Sequence, residues 1–280
     1  MTTIPYVRRV IVVVLDGLRP DAIDAFGLAE TRRLCERGAF TLRGETVAPS
    51  VTACAMTSLV TGVAPARHGV LSDAFHLPVP RGPIHPVSRV LARHGLPVTI
   101  VGAELPRAFR GLAHRAARLF GVHETHFAGQ SCAEIALRTR EVSERQGRGM
   151  VLVHLPDADR SGHADGWMSA PYGDAARRLD DALGVIVRST IDVCPNTILI
   201  ALADHGGGGA DPFNHDSAHP ADRTIPVMLA GRGIRMGPLL GPVSLLDVPA
   251  TVLWSLGIGA PTSYTGKPLI EAFARARVAA

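Results

Sequence analysis

The chain has 280 residues, 46% hydrophobic and 5% aromatic, with 29 basic against 25 acidic side chains. That apolar content excludes a disordered chain and suits an aliphatic core, while no apolar run approaches the ~20 residues needed to span a bilayer. The net charge of +4 is spread along the chain, and every basic residue but Lys267 is arginine; this gives a mild pull on anionic substrates and argues against nucleic-acid binding.

Short apolar strands alternate with helix-length segments, the pattern of βαβ units and a parallel sheet. A strand over roughly 9–15 is followed by a helix starting near Pro20 and another from Ala29 to Arg37, stopped by Gly38. Residues 52–61 form a helix that opens with Thr52, and Pro86 to His94 form a further one before the strand Val98 to Val101. Residues 130–146 are periodic and polar on one side, as an outer helix is. Strand 150–154, helix 171–189 with Leu179, Leu183 and Ile186 on one face, and strand 197–203 follow. Ile225 to Leu229 gives a last strand and Leu245 to Leu256 a last helix. The Pro- and His-rich stretch 72–85 is a loop that could border a site. With no repeat, linker or low-complexity tract, residues 1–280 are expected to form a single domain. Cys35, Cys54, Cys132 and Cys194 form no CxxC pair and are expected to be free, mostly buried thiols. The N-terminus lacks a separate apolar segment with a cleavage site, so a cytoplasmic location is expected.

The chemistry-bearing residues gather where strands end. Asp16 closes the first strand; Asp159 and His163 follow the strand ending at His154; Asp204 and His205 end the strand 198–203, with His215 just beyond the run Gly206–Gly209. In an open parallel sheet the carboxyl ends of strands share one edge, where ligands bind. Several Asp and His side chains there suit one or two zinc-like ions. Each has a plainer role: Asp16 a helix cap, Asp204-His205 a polar turn, Thr52 an N-cap. Asp157 competes with Asp159. A loop around Asp159-Arg-Ser-Gly-His163 would let both end residues turn toward one metal, with Gly162 tolerating strain. Trp167, Met168 and Tyr172 either wall a pocket or pack in the core, and His68 is expected to anchor a loop.

In order along the chain stand Val14-Leu-Asp16-Gly-Leu-Arg-Pro-Asp21, Pro49-Ser-Val-Thr52, Ser58-Leu-Val-Thr-Gly62, His68-Gly69, Asp159-Arg-Ser-Gly-His163 and Ala203-Asp204-His205-Gly206. With the closing Ser244-Leu-Leu-Asp-Val-Pro-Ala-Thr251 and Thr265-Gly-Lys-Pro-Leu269, they resemble the alkaline phosphatase superfamily, most closely its nucleotide pyrophosphatase/phosphodiesterase branch. The resemblance implies an α/β three-layer sandwich, with a largely parallel central sheet and helices on both faces. It implies two divalent metal ions, zinc preferred and manganese the alternative. Asp16, Thr52, Asp204 and His205 would hold one; Asp159, His163 and His215 would hold the other, with His215 preferred over His219. Thr52 would be the catalytic nucleophile, forming a phospho-enzyme. The implied activity is hydrolysis of phosphoric esters, phosphodiesters before monoesters or phosphonates, with a catalytically silent metal-binding homologue as the rival. A sulfatase is disfavoured, because Cys54 lies near Thr52 without the Cys-x-Pro-Ser-Arg signature. The expected partner is a small phosphate ester, with neither a membrane nor nucleic acid. Two departures from the branch stand out: Asp73 falls where members place a phosphoryl-binding Asn, and the chain lacks room for large cap inserts.

Overall fold

A computed structural model describes residues 6–74 and 79–274; part of the 72–85 loop and the first five residues lie outside that description. In chain order the elements are β1 (Arg9–Leu15), α1 (Ala22–Ala25), α2 (Ala29–Glu36), β2 (Ala39–Glu45), α3 (Thr52–Thr61), α4 (Pro65–His68), α5 (Val87–Arg93) and β3 (Val98–Gly102). They continue with α6 (Arg107–Leu119), β4 (Glu124–Phe127), α7 (Cys132–Arg145), β5 (Gly149–Leu155), α8 (Asp157–Asp165) and α9 (Ala170–Ser189). The rest are β6 (Thr197–Leu202), α10 (Pro220–Arg223), β7 (Thr224–Gly231), β8 (Gly237–Pro238), α11 (Asp247–Ser255) and a short 3-10 helix (Ile270–Ala272).

The eight strands make one sheet in the order β4-β3-β5-β1-β6-β7-β2-β8. β1 sits between β5 and β6, parallel to both. Its residues Val10 to Leu15 are buried, as a strand covered on both faces requires. The expected parallel sheet therefore holds through β4-β3-β5-β1-β6, while β7 runs antiparallel to β6 and β2 antiparallel to β7. α9 buries Leu179, Leu183 and Ile186, the face expected of it. Arg9 is buried at the start of β1, where its Nη1 donates to the carbonyls of Ser143 and Gln146 at 2.6 and 2.9 Å. The guanidinium thus serves the electronegative end of α7.

Register positions the site. Leu15 pairs with Leu155, and Val14 with Leu202. Asp16, the start of α8 and Asp204 consequently leave the sheet side by side. All four cysteines are free, and no helix among the described residues is long and apolar enough to cross a membrane.

Candidate metal centre at the carboxyl edge

Gly17 fixes how the edge is assembled. Its φ of +68° turns the chain sharply after Asp16, and a Cβ there would meet the Asp159 Cα at 2.8 Å. With that clearance, the Asp159 amide donates to the Asp16 carbonyl at 3.1 Å. The Gly17 amide donates to Asp204 Oδ1 at 3.3 Å, and its carbonyl accepts from Trp167 Nε1 and the Tyr172 hydroxyl, each at 3.0 Å. Trp167 and Tyr172 are buried and brace this turn. Met168 is half-buried against the core, in a left-handed backbone conformation.

Asp159 and His163 lie on a helix, α8, and not in the expected loop. Their spacing places them one turn apart on the same face. Gly162 is needed there for room rather than for strain, because a Cβ would run into the Trp167 indole at 2.4 Å. Asp157 points elsewhere: its Oδ1 accepts the Cys132 amide at 3.3 Å, at the start of α7, and its Oδ2 lies 3.8 Å from Arg178.

The seven side chains singled out in the sequence come together in two adjoining groups. His205 Nε2 lies 3.0 Å from Thr52 Oγ1, 3.3 Å from Asp16 Oδ1 and 3.6 Å from Asp204 Oδ2. His163 Nε2 is 3.1 Å from His215 Nε2 and 3.5 Å from Asp159 Oδ1, and His215 Nε2 is 3.8 Å from the same carboxylate oxygen. The groups adjoin through the stacked rings of His205 and His215, 3.7 Å apart, and through Asp159 Oδ1, 3.9 Å from His205 Nε2. His219 instead caps α10, accepting the Ala221 amide on Nδ1 at 3.1 Å.

Each of the three converging histidines is tied back through its other nitrogen. Nδ1 of His163 donates to the Phe213 carbonyl at 2.9 Å, that of His205 to Gly206 at 2.8 Å and that of His215 to Ser50 at 2.6 Å. This leaves each Nε2 as a lone pair aimed at carboxylate oxygens. Asp16 Oδ1, Asp159 Oδ1 and Asp204 Oδ2 are buried without a hydrogen-bond partner among the described residues. Lone pairs facing carboxylates repel unless a cation stands between them, and buried polar atoms are costly when unmatched. Both the N/O donor set and its orphaned atoms fit divalent metal ions.

Electrostatics say the same. Burial, then the neighbouring Asp204 and Asp159, hold the Asp16 carboxyl well above the usual carboxylate range. Burial also pushes Asp204 up, but His205 and His154 outweigh it and bring Asp204 below that range. His215 is lowered by burial and by His205. The carboxylates resist being charged together, a conflict that a bound cation removes.

Three contributors escaped the sequence reading: His154, Ser50 and Asp222. His154, at the end of β5, sets its Nε2 2.8 Å from Asp16 Oδ2 without hydrogen-bond alignment, and burial lowers its pKa. A histidine closing an otherwise apolar parallel strand was the available signal. Ser50 holds His215 through both its carbonyl and its hydroxyl. Asp222 is buried and accepts the Gly209 amide at 2.8 Å and the Ser217 amide at 3.2 Å, closing the loop that carries His215. Asp73 reaches the site by accepting the Ala53 amide at 2.7 Å, at the start of α3 beside Thr52. His68, by contrast, sits buried between the Ser58 hydroxyl and the Val70 amide, at 2.9 and 3.1 Å.

The family model described as "Metalloenzyme superfamily" matches residues 117–260, just over half of the chain and the part carrying Asp159, His163, Asp204, His205 and His215. The chain belongs to the metalloenzyme superfamily. The model for type I phosphodiesterase/nucleotide pyrophosphatase matches residues 10–85, with Asp16 and Thr52. A 2,3-bisphosphoglycerate-independent phosphoglycerate mutase of Haloarcula marismortui is 30% identical over 150 residues, half of this chain and 27% of the mutase. The matched stretch is thus about a quarter of that relative's length. Among solved structures, murine ectonucleotide pyrophosphatase/phosphodiesterase 5, an inactive Thr-to-Ala variant in complex with AMP, superposes with a TM-score of 0.74 at 13% identity, covering 95% of this chain and all of that one. The alkaline phosphatase PafA, a multiple mutant, gives 0.73 at 14%, covering 97% of this chain and all of its own. Sulfatases are neighbours too. This metalloenzyme therefore has the alkaline-phosphatase-like fold and the superfamily's dependence on divalent metal.

Proposed function

We propose that this metalloenzyme hydrolyses phosphoric esters with two bound divalent ions, in the manner of phosphodiesterases and nucleotide pyrophosphatases. The observation that carries the proposal is the convergence of three Nδ1-anchored histidines with three orphaned carboxylate oxygens, one of those histidines, His205, holding the Thr52 hydroxyl. Asp16, Thr52, Asp204 and His205 would hold one ion, and Asp159, His163 and His215 the other, zinc before manganese. Bound there, the ions would supply Lewis-acid stabilisation of charge on phosphoryl oxygens.

Thr52 Oγ1 is the nucleophile in this reading. It attacks phosphorus as the hydroxyl proton is released to solvent, the ester P–O bond breaks, and the leaving oxygen departs with its electron pair and takes up a proton. Water then cleaves the phosphothreonine and restores the hydroxyl. In the chain as it stands, the Thr52 hydroxyl donates to His205 Nε2, which ties Oγ1 to the cluster. Its place at the start of α3 sets it in the favourable field of a helix N-terminus. A nearby negative charge, Asp73, works against an anionic substrate and marks a difference from the branch. Free thiols accompany a cytoplasmic location.

Support comes from the phosphodiesterase model over Asp16 and Thr52, and from a neighbour made inactive by a Thr-to-Ala change. The mutase match favours a second reading, in which the phosphoryl group returns to a substrate hydroxyl instead of passing to water. Turnover of a bis-aryl phosphodiester beside the matching aryl monoester, with zinc added, tests the first. Faster diester cleavage, reduced at least about 1000-fold in Thr52→Ala, is expected. Faster monoester cleavage moves the enzyme to the phosphatase side. Isomerised substrate without released phosphate replaces hydrolysis by transfer.

A further inference from the structure

Helix α6 is built the wrong way round for a helix of the core. It has 13 residues and buries none of them. Ala113, Ala116 and Ala117 are half-buried, whereas Phe109, Leu112 and Leu119 are exposed at 60%, 62% and 72%, and Phe120 just past its end at 55%. The exposed arc runs from Arg107 and Arg118 through Arg115 to Leu119, Leu112 and Phe109, so a basic strip borders an apolar one. The helix contains no acidic residue. Arg110 pairs with Glu104; Arg107, Arg115 and Arg118 have no ion-pair partner among the described residues. Behind its C-terminal end lies an apolar cavity of about 450 Å³, lined by Ala117, Phe120, Val122, Ile100, Val60 and Thr57. The helix is tied at this end to α5, its Leu119 and Phe120 carbonyls accepting from Arg89 and Ser88, and it borders the cavity alongside that contact.

A helix of this length is marginal in water without a partner for its apolar face. A second copy of the chain fits poorly, because self-association on this face would bring arginine against arginine. A surface of anionic lipid fits both strips, with the apolar side chains in the acyl boundary and the arginines among the headgroups. We infer that α6 seats this protein on anionic bilayers as an interfacial helix. The expectation of no membrane partner rested on the lack of a spanning segment, and an interfacial helix needs none. The inference is independent of the proposed chemistry, since no residue of α6 belongs to the metal centre.

The test is co-sedimentation of the whole chain with phosphatidylcholine vesicles, pure or mixed with phosphatidylglycerol. Pelleting with the mixed vesicles alone, weakened by added salt, is expected. Phe109→Glu with Leu112→Glu should abolish it, and Arg115→Gln with Arg118→Gln should weaken it about thirtyfold; circular dichroism checks that both variants fold. Failure to pellet with mixed vesicles, equal pelleting with both kinds, or indifference to all four substitutions would overturn the inference. A dimer in light scattering that Leu112→Glu splits would overturn it in favour of a second copy.

Discussion

The carboxyl edge of the sheet and helix α6 depart from the rule of apolar inside and polar outside in opposite ways. At the edge, carboxylates and histidines are buried and several of their atoms have no partner. On α6, Phe109, Leu112 and Leu119 stand in water while alanines face the protein. Both regions are incomplete in the isolated chain, and the chemistry of each states what completes it. Lone pairs of N and O around a buried centre call for cations. An apolar strip edged with arginines that have no ion-pair partner among the described residues calls for an apolar surface bearing negative charge. Incompleteness at the edge is braced by Gly17, Trp167, Tyr172, Ser50 and Asp222, which hold the groups together against their repulsion. At α6 the ties lie at one edge and at the C-terminal end, where His114 meets Thr125 and the Leu119 and Phe120 carbonyls accept from Arg89 and Ser88, and they leave the apolar strip uncovered.

The sharpest way to break this comparison is at α8. Asp159→Ala removes one of the converging oxygens, and bound metal should fall with at least about a hundredfold loss of affinity and of turnover. Asp157→Ala, two residues away, should leave metal content unchanged and cost only about 1 kcal/mol, because it loses a hydrogen bond to the start of α7. Metal analysis and thermal melting of the two variants decide the matter. Equal metal loss in both would mean that burial of polar groups at this edge reflects packing and not a cation site.

Those two aspartates also show how far the sequence could be read. Asp16 and the Asp204-His205 pair were legible because each ends an apolar run, and a parallel sheet puts such ends on one edge. Asp157 and Asp159 were separable by the family resemblance alone, because the choice depends on a short polar helix whose periodicity carries no apolar signal. Only three dimensions show Asp157 turned toward α7. Strand β2, with Arg43 and Gly44, and strand β4, with Glu124 and His126, lack the apolar run that marks the central strands. The reversal at β7 leaves no trace in residue order at all. Helix α6 escaped for the opposite reason. Its pattern is strongly amphipathic, but alanines and arginines alternate so closely that the segment shows no conventional core face.

A tenfold effect is expected at Asp73. Its carboxylate accepts the Ala53 amide at the start of α3, next to the Thr52 hydroxyl and where an anionic substrate would approach. Asp73→Asn removes the charge and keeps an oxygen to accept the same amide. Turnover of a phosphodiester should therefore rise about tenfold, chiefly through a lower KM. A fall instead would assign Asp73 a positive part in the reaction and weaken the picture of an edge organised only around cations.

The smallest expected effect sharpens the comparison most directly, because it uses one residue type in both settings. Leu183 is fully buried on α9, and Leu112 is 62% exposed on α6. Leu183→Ala should cost about 2–5 kcal/mol, the loss of transferred surface plus the cavity left behind. Leu112→Ala removes a side chain that water already reaches, so its effect on melting should stay within about 0.5 kcal/mol. Repeating the measurement with anionic vesicles present separates two causes of that silence. If Leu112 is idle, the variant melts like the parent with or without vesicles. If it is waiting for a bilayer, vesicles stabilise the parent and do so less for the variant, because only bound lipid converts that leucine into buried surface.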